Sequence, residues 1–354
     1  MQIALDLAKK GMHTAKPNPR VGCIVVSENK IVGQGWHRQT GEAHAEAIAL
    51  SEAGDKAKDS TVYSTLEPCT HHGQTPPCVE ALIAAAVGKV VYAMEDPNPV
   101  VSGQSRKILE SAEIEVISGV LSQESKDLNI GFNKRMKYGL PYIRTKIAAS
   151  IDGKTALRNG ESQWISSKQS RDDVQLWRAR SCALVTSIDT VIADDPSLNV
   201  RINDFSDIDQ PTRVILDSQL RIKGDYKILK SPGDVIVYSL QQVHNDPIFE
   251  GMIENTNERD GHVSLESVFR DLAKKEINEV MFECGGTLNG ALLKQNFIDE
   301  IIIYLAPCIL GDQANNMFSL PAISAMSERY NFNLIQVDRT GDDIRVILRK
   351  ANPV

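Results

Sequence analysis

The chain has 354 residues, 42% of them hydrophobic and 24% charged, with a formal net charge of −7. At roughly 100–200 residues per domain this length points to two domains, and the composition is that of an ordinary soluble globular protein. The acidic balance argues against nucleic-acid binding, which shows a basic face, and no apolar run approaches the ~20 residues of a membrane helix.

The N-terminus, "MQIALDLAKKGMHTAKPNP", has no long apolar core and no cleavage site. It reads as a short amphipathic helix stopped by Gly11, so a cytoplasmic protein is expected. "VGCIVVS" and "KIVGQGW" are strand-like and separated by a short "ENK" turn, which suggests a hairpin. "EAHAEAIALSEAG" is an Ala-rich helix ending in Gly54. Then follow a strand ("STVYSTL"), a helix ("CVEALIAAAVG"), a strand ("KVVYAME"), a helix ("SGQSRKILESA"), a strand ("IEVISG") and a helix ("QESKDLNIGFNKRMKYG"). Strands alternating with helices mean α/β layers around a mixed sheet.

"GLPYIRTKIAASIDGK" starts a new unit, so the domains are expected at 1–140 and 141–354. In the second, "SCALVTS", "TRVILDS", "DVIVYSL", "NEVMFECGG" and "DEIIIYLAP" are strand candidates. "SKQSRDDVQLWRAR" and "LESVFRDLAKKE" are helical, and residues 203–211 and 244–261 read as polar loops.

The six cysteines suit free thiols or metal ligands in a chain of this kind rather than disulfides. Cys23, Cys182, Cys284 and Cys308 sit in apolar, strand-like runs and read as small core residues. Cys69 and Cys78 differ, because they bound the loop "EPCTHHGQTPPC". That loop alone offers a local Cys2His2 site through His71 and His72. It would leave His44 and Glu46, in "HAE" near a helix start, without a purpose. Cys69 also stands before what reads as a helix start, where N–H groups favour thiolate.

The order H-x-E, then P-C, then a further cysteine is the signature of zinc-dependent nucleobase deaminases, with eight residues here between the cysteines instead of two. Zinc held by His44, Cys69 and Cys78 keeps a fourth position for water, the catalytic arrangement. It lowers the pKa of that water, so that hydroxide exists near neutral pH. An unliganded acid must then carry the proton to the leaving amine, and Glu46 is the candidate. Taken singly, His44 is more simply a core or surface histidine, and the two cysteines are a structural zinc loop or free thiols.

"PNPRVGCIVV", "GWHRQTGEAHAE", "TLEPCTHHGQTPPC", "EDPNP" and "LNIGFNKRM" resemble the deaminase domain of the bifunctional riboflavin biosynthesis deaminase/reductase family. "KIAASIDGKTA", "GESQWIS", "TVIADDPSLNVR", "VILDS" and "ECGGTLNGALL" resemble its reductase domain. The motifs follow in the family's order over nearly the full length. Two departures stand out: Gln74 replaces a common arginine, and residues 203–260 resemble the family weakly.

The resemblance implies a cytidine-deaminase-like α/β/α domain followed by a dihydrofolate-reductase-like α/β domain. It implies one zinc per chain, NADPH, and a phosphorylated pyrimidine substrate that loses an amino group before its ribosyl group is reduced. It gives His44, Cys69 and Cys78 as zinc ligands and Glu46 as proton shuttle. Asn18 and His71 would line the deaminase pocket, with His72 packed or exposed. NADPH would contact Ala148, Trp164, Thr190, Asp194, Ser218 and the loop Gly285, Gly286, Thr287, Leu288, Asn289, Gly290 and Ala291. Substrate would contact Ser162, Arg178, Leu198, Arg201 and Glu283. Lys146 and Asp152 are given no role. Self-association is also expected of such a paired-domain family.

The second half has its own physical reading. "NEVMFECGGTLNGALL" is a strand, a Gly-rich turn and a helix, whose N–H groups can cradle a phosphate. Its G-G-T-L-N-G is not the G-x-G-x-x-G of a Rossmann fold, and the two glycines can simply make the turn. Two arginines suit a phosphate-bearing substrate. Yet Arg178 sits on a helical face where arginines are usually solvated, Arg201 has Asp204 nearby, and Trp164 would by default be packing. A lone deaminase acting on cytidine or a tRNA base, and a module with purely structural zinc, are the competing readings. The acidic charge and second domain weigh against the first, and Glu46 against the second.

Overall fold

A computed structural model of the chain describes residues 1–70, 76–98, 102–202, 209–241 and 251–351. Two compact units are present, Met1–Leu140 and Pro141–Val354.

In the first unit the order is α1 (Gln2–Lys9), β1 (Gly22–Ser27), β2 (Lys30–Trp36), α2 (Ala45–Ala53), β3 (Thr61–Ser64), α3 (Cys78–Ala84), β4 (Lys89–Tyr92), α4 (Gln104–Ser111), β5 (Glu115–Ser118), α5 (Ser122–Leu128) and α6 (Ile130–Tyr138). The sheet runs β2-β1-β3-β4-β5. β1 is antiparallel to both β2 and β3, whereas β3, β4 and β5 are parallel. The β1–β2 hairpin turns on Glu28 and Asn29, at φ 49° and 60°. Positive φ at both central residues is what a two-residue turn needs to match strand twist.

Alanines explain how α2 sits so close to the sheet. A Cβ added at Gly35 in β2 would stand 2.4 Å from the Ala45 carbonyl oxygen. A glycine facing an Ala-rich helix brings the two backbones together, and so fixes the depth of the residues at the start of α2. Val25, Val62, Val90 and Val116 fill the core beneath. Residues 123–139 form two helices, not the one expected. Chain direction changes at Asn129 (φ −109°, ψ 26°), whose buried carboxamide accepts from the Arg20 N–H and donates to the Arg20 carbonyl.

The second unit contains β6 (Tyr142–Ser150), β7 (Lys154–Ala156), α7 (Lys168–Arg180), β8 (Ala183–Ser187), α8 (Ile188–Asp194), β9 (Thr212–Leu216), α9 (Lys227–Lys230) and β10 (Val235–Ser239). It continues with β11 (Ile253–Asn255), β12 (Glu258–Arg259), β13 (His262–Val263), α10 (Leu265–Lys274), β14 (Glu279–Phe282), α11 (Gly286–Lys294), β15 (Glu300–Ala306), β16 (Asn315–Asn316), β17 (Phe332–Thr340) and β18 (Asp343–Lys350). Its nine-stranded sheet has the order β11-β10-β9-β8-β14-β6-β15-β18-β17. The first seven are mutually parallel, and β18 and β17 close the sheet antiparallel.

Part of the stretch read as a polar loop at 244–261 is therefore strand: β11 adds to the sheet edge, and β12 pairs with β13. Residues 203–208 and 244–250 of the expected loops lie outside the described residues. β6, β14 and β15 carry a buried ion network. Arg144, 1% exposed, bonds Glu279 and lies 2.6 Å from Glu300. No helix is long and apolar enough to cross a membrane among the described residues.

Candidate active sites

In the first unit, three side chains from three separate segments meet. His44 is the residue capping α2, Cys69 follows β3, and Cys78 opens α3. His44 Nδ1 lies 3.2 Å from Cys78 Sγ and 3.5 Å from Cys69 Sγ, and the three donor atoms all fall within 4.8 Å of one another. Zn–N of ~2.0–2.1 Å and Zn–S of ~2.3 Å in a tetrahedron place N and S roughly 3.6 Å apart. The donor set and its spacing therefore fit zinc. His71 and His72, the other half of a local Cys2His2 site, and Gln74 lie outside the described residues.

The local structure differs from the sequence expectation in one way. Cys69 does not precede a helix directly; Cys78 opens one, and its backbone N–H donates to Cys69 Sγ at 3.3 Å. The His44 backbone is extended (φ −69°, ψ 157°), so helical spacing does not govern its direction. Its ring can therefore reach the same centre as Glu46, one residue inside the helix.

Glu46 is 4% exposed. One carboxylate oxygen accepts from Ser64 Oγ at 2.9 Å, and the other lies 3.5 Å from Cys78 Sγ. Burial pushes its pKa up, against its own backbone N–H and the His44 charge. Of the two thiols, Cys69 is the one held as thiolate, first by the Cys78 thiol and then, against burial, by His44. Ser64 was not anticipated from sequence. Its only signal was its place on the inward alternation of β3.

Asn18 Nδ2 is 3.0 Å from His37 Nε2, and the His37 ring meets His44 edge-on at 5.8 Å. Burial lowers the His37 pKa, with the Ala43 carbonyl working against it.

In the second unit a cavity of about 1640 Å³ lies at the carboxyl ends of β6, β14, β8 and β9. Open parallel sheets bind ligands at that place. Ala148, Trp164, Thr190, Asp194, Ser218, Gly285, Gly286, Thr287, Leu288 and Ala291 line it, as do Ser162, Arg178, Leu198, Arg201 and Glu283. Asn289 and Gly290 do not face it. Asn289 is buried, accepts from Thr145 Oγ1 at 2.6 Å and donates to the Cys284 and Met317 carbonyls. A Cβ at Gly290 would stand 2.1 Å from the Ser319 carbonyl oxygen. Both pack α11 against the neighbouring segments. Gly285 caps α11, and a Cβ there would meet nothing within 4 Å. The start of α11 therefore has open space at Gly285, and a helix N-terminus of this kind favours an anion.

The charge centre of the cavity is an ion pair. Arg178 Nε and Nη2 bind the two Glu283 oxygens at 2.6 and 3.0 Å, and Nη1 donates to the Asn199 carbonyl at 3.0 Å. Arg178 is therefore not a solvated helix-face residue. Lys146 Nζ stands 3.8 Å from Glu283. Burial alone would raise the Glu283 pKa, but Arg178 and Lys146 outweigh it and hold the carboxylate at about 2. Burial lowers the Lys146 pKa, with Glu283 working against it. Arg201 bonds Asn199 Oδ1 at 2.7 Å, and Asp204 lies outside the described residues. Trp164 is 70% exposed and stacks under the Arg171 guanidinium at 4.5 Å. Asp152 faces away from this chemistry and accepts from the Leu310 and Gly311 N–H groups.

Residues 141–346 match the family described as "RibD C-terminal domain". Residues 1–94 match "Cytidine and deoxycytidylate deaminase zinc-binding region". The riboflavin biosynthesis protein RibD of Escherichia coli is 43% identical, over 97% of this chain and 96% of its own length. The chain belongs to the RibD family.

The RibD counterpart from Aquifex aeolicus is 36% identical over 99% of the chain and 97% of its own length. Among solved structures, Acinetobacter baumannii RibD superposes with a TM-score of 0.93 at 42% identity, covering 99% of this chain and 98% of that one. A diaminohydroxyphosphoribosylaminopyrimidine deaminase/5-amino-6-(5-phosphoribosylamino)uracil reductase from Thermotoga maritima gives 0.89 at 31% identity, covering 99% and 97%. The two units have the cytidine-deaminase-like and reductase folds of RibD. The chain is a bifunctional deaminase and reductase of riboflavin biosynthesis, with zinc in the first half and NADPH in the second.

Proposed function

We propose that residues 1–140 deaminate 2,5-diamino-6-ribosylamino-4(3H)-pyrimidinone 5′-phosphate at its 2-amino group. Residues 141–354 then reduce the ribosyl group of the product to ribityl. The observation that carries this reading is the meeting of His44, Cys69 and Cys78 beside a buried acid, Glu46, that is free to handle protons.

His44, Cys69 and Cys78 hold the zinc. Zinc, when bound, makes a water acidic enough to attack at neutral pH. Glu46 takes the proton from that water and returns it to the amine as ammonia leaves. Ser64 keeps the carboxylate facing inward. Asn18 contributes to the pocket wall.

In the second unit NADPH supplies the hydride. The opening turn of α11, through Gly285, Gly286, Thr287, Leu288 and Ala291, receives its pyrophosphate. Ala148, Trp164, Thr190, Asp194 and Ser218 complete the cofactor groove. Ser162, Arg178, Leu198, Arg201 and Glu283 orient the substrate; the Arg178 fork is committed to Glu283, so Arg201 is the arginine that meets the phosphate. The protein works in the cytoplasm as a homo-oligomer. The exposed apolar residues Leu334 and Val337 on edge strand β17 suit contact with a second copy.

The test is Glu46→Gln. The variant retains stoichiometric zinc and loses ammonia release by roughly 10²–10⁴-fold, while NADPH oxidation on pre-deaminated substrate persists. Full deamination by this variant would refute the proton-shuttle role.

A further inference from the structure

His37 sits just after β2 and is 4% exposed. Its two ring nitrogens have partners of different character. Nδ1 faces the Ala43 carbonyl oxygen at 3.4 Å, and Nε2 faces the Asn18 carboxamide at 3.0 Å. A carbonyl oxygen accepts and cannot donate, so the ring proton belongs on Nδ1. Asn18 Nδ2 stands against Nε2, which suits a ring with that single proton and a bare Nε2 that accepts only. The Asn18 group that meets it must be the amide NH2. The carbonyl oxygen of Asn18 is thereby turned away from His37, and among the described residues it has no hydrogen-bond partner. The same His37 ring packs edge-on against His44, so this arrangement stands beside the three clustered metal-ligand residues.

We infer that His37 is a positioning residue: its tautomer orients Asn18 so that a carbonyl oxygen, not an amide NH2, meets the pyrimidine. The inference rests on the proposed place of Asn18 in the deaminase pocket wall. It has a consequence for recognition. The substrate must present an N–H at Asn18, and a ring offering a lone pair there is rejected, because a site built to accept leaves its oxygen unpaired. An aminopyrimidinone carries such donors. With the ring packed from one side and bonded at both nitrogens, Asn18 cannot flip without breaking the His37 contact.

The test uses the full-length, zinc-loaded protein labelled with ¹⁵N-histidine. Long-range ¹H–¹⁵N correlation reads the His37 tautomer directly, its signal assigned by its loss in His37→Phe, or in His37→Gln should the first not fold. The expected result is a protonated Nδ1 and a bare Nε2. A proton on Nε2 overturns the inference. In activity, His37→Phe keeps zinc stoichiometry and turnover of pre-deaminated substrate. It raises the KM of deamination by about 10- to 100-fold, with a much smaller change in kcat. Asn18→Asp retains the accepting oxygen, so it deaminates at least about 10-fold better than Asn18→Leu. Equal loss in these two variants also overturns the inference. Wild-type enzyme that releases no ammonia from the diaminopyrimidinone phosphate sinks the parent reading. Wild-type turnover with the wrong tautomer sinks this one alone.

Discussion

The two sites are built on opposite plans. The deaminase centre is small, with His44, Cys69 and Cys78 converging within 4.8 Å and Glu46 buried beside them. The reductase cavity is wide and charged, spans four strand ends, and is organised by Arg178, Glu283 and Lys146. A metal concentrates the chemistry on one point, so few side chains are needed, and they must be exact in depth. A dinucleotide and a sugar phosphate need length, helix-opening N–H groups and a charge network fixed in place.

Removing one metal ligand breaks this comparison most severely. Cys78→Ala is expected to abolish zinc retention and ammonia release while NADPH oxidation on pre-deaminated substrate continues, as metal analysis and the two assays would show. Joint loss of both activities would mean the sites are not separate.

The next effect lies in the reductase ion pair. Arg178→Ala leaves Glu283, 13% exposed, without its bidentate partner, and should destabilise the second unit by roughly 3–5 kcal/mol in denaturant titration. Reduction should fail with it, and deamination should survive in native buffer.

The pH dependence of the same pair sharpens the contrast. The Glu283 pKa is depressed from 4.5 to about 2. Its contribution is therefore fully present above pH ~4.5 and is lost as pH falls toward ~2, a difference of roughly 3 kcal/mol. Unfolding followed at Trp177 should steepen with acid in that window, and Glu283→Gln should flatten it. An unchanged slope in the variant would contradict the assignment.

The smallest effects separate packing from binding on one helix. Gly290→Ala must displace the Ser319 carbonyl, 2.1 Å from the new Cβ, at a cost of roughly 1–3 kcal/mol. Gly285→Ala meets nothing and should change stability by less than about 0.5 kcal/mol, yet raise the KM for NADPH.

How far the sequence carried depends on distance along the chain. The metal-site residues are carried by short motifs with fixed spacing, so "HAE" and "EPC" reveal them without any knowledge of packing. The Arg178–Glu283 pair spans 105 residues, and nothing local distinguishes that arginine from a solvated one. Ser64 and His37 act through partners on other segments; Ser64 carries no motif, and His37 lies in "GWHRQTGEAHAE" without its partner being legible there. Strands were legible where apolar residues alternated. β17 was not, because a register shift between Leu334 and Gln336 breaks the alternation and its apolar residues face outward. Asn289 and Gly290 lie within a motif whose neighbours face the cavity. Only the buried carboxamide and the close Ser319 backbone reveal their structural task.

The central claim is two independent sites on one chain, one of them metal-dependent. The most direct measurement follows ammonia release and NADPH oxidation together on the diaminopyrimidinone phosphate, with and without a zinc chelator. Chelation is expected to stop ammonia release, and NADPH oxidation to resume at its full rate when pre-deaminated substrate is supplied. Ammonia release that continues in zinc-free protein, or a reductase that fails with the metal gone, would contradict the claim.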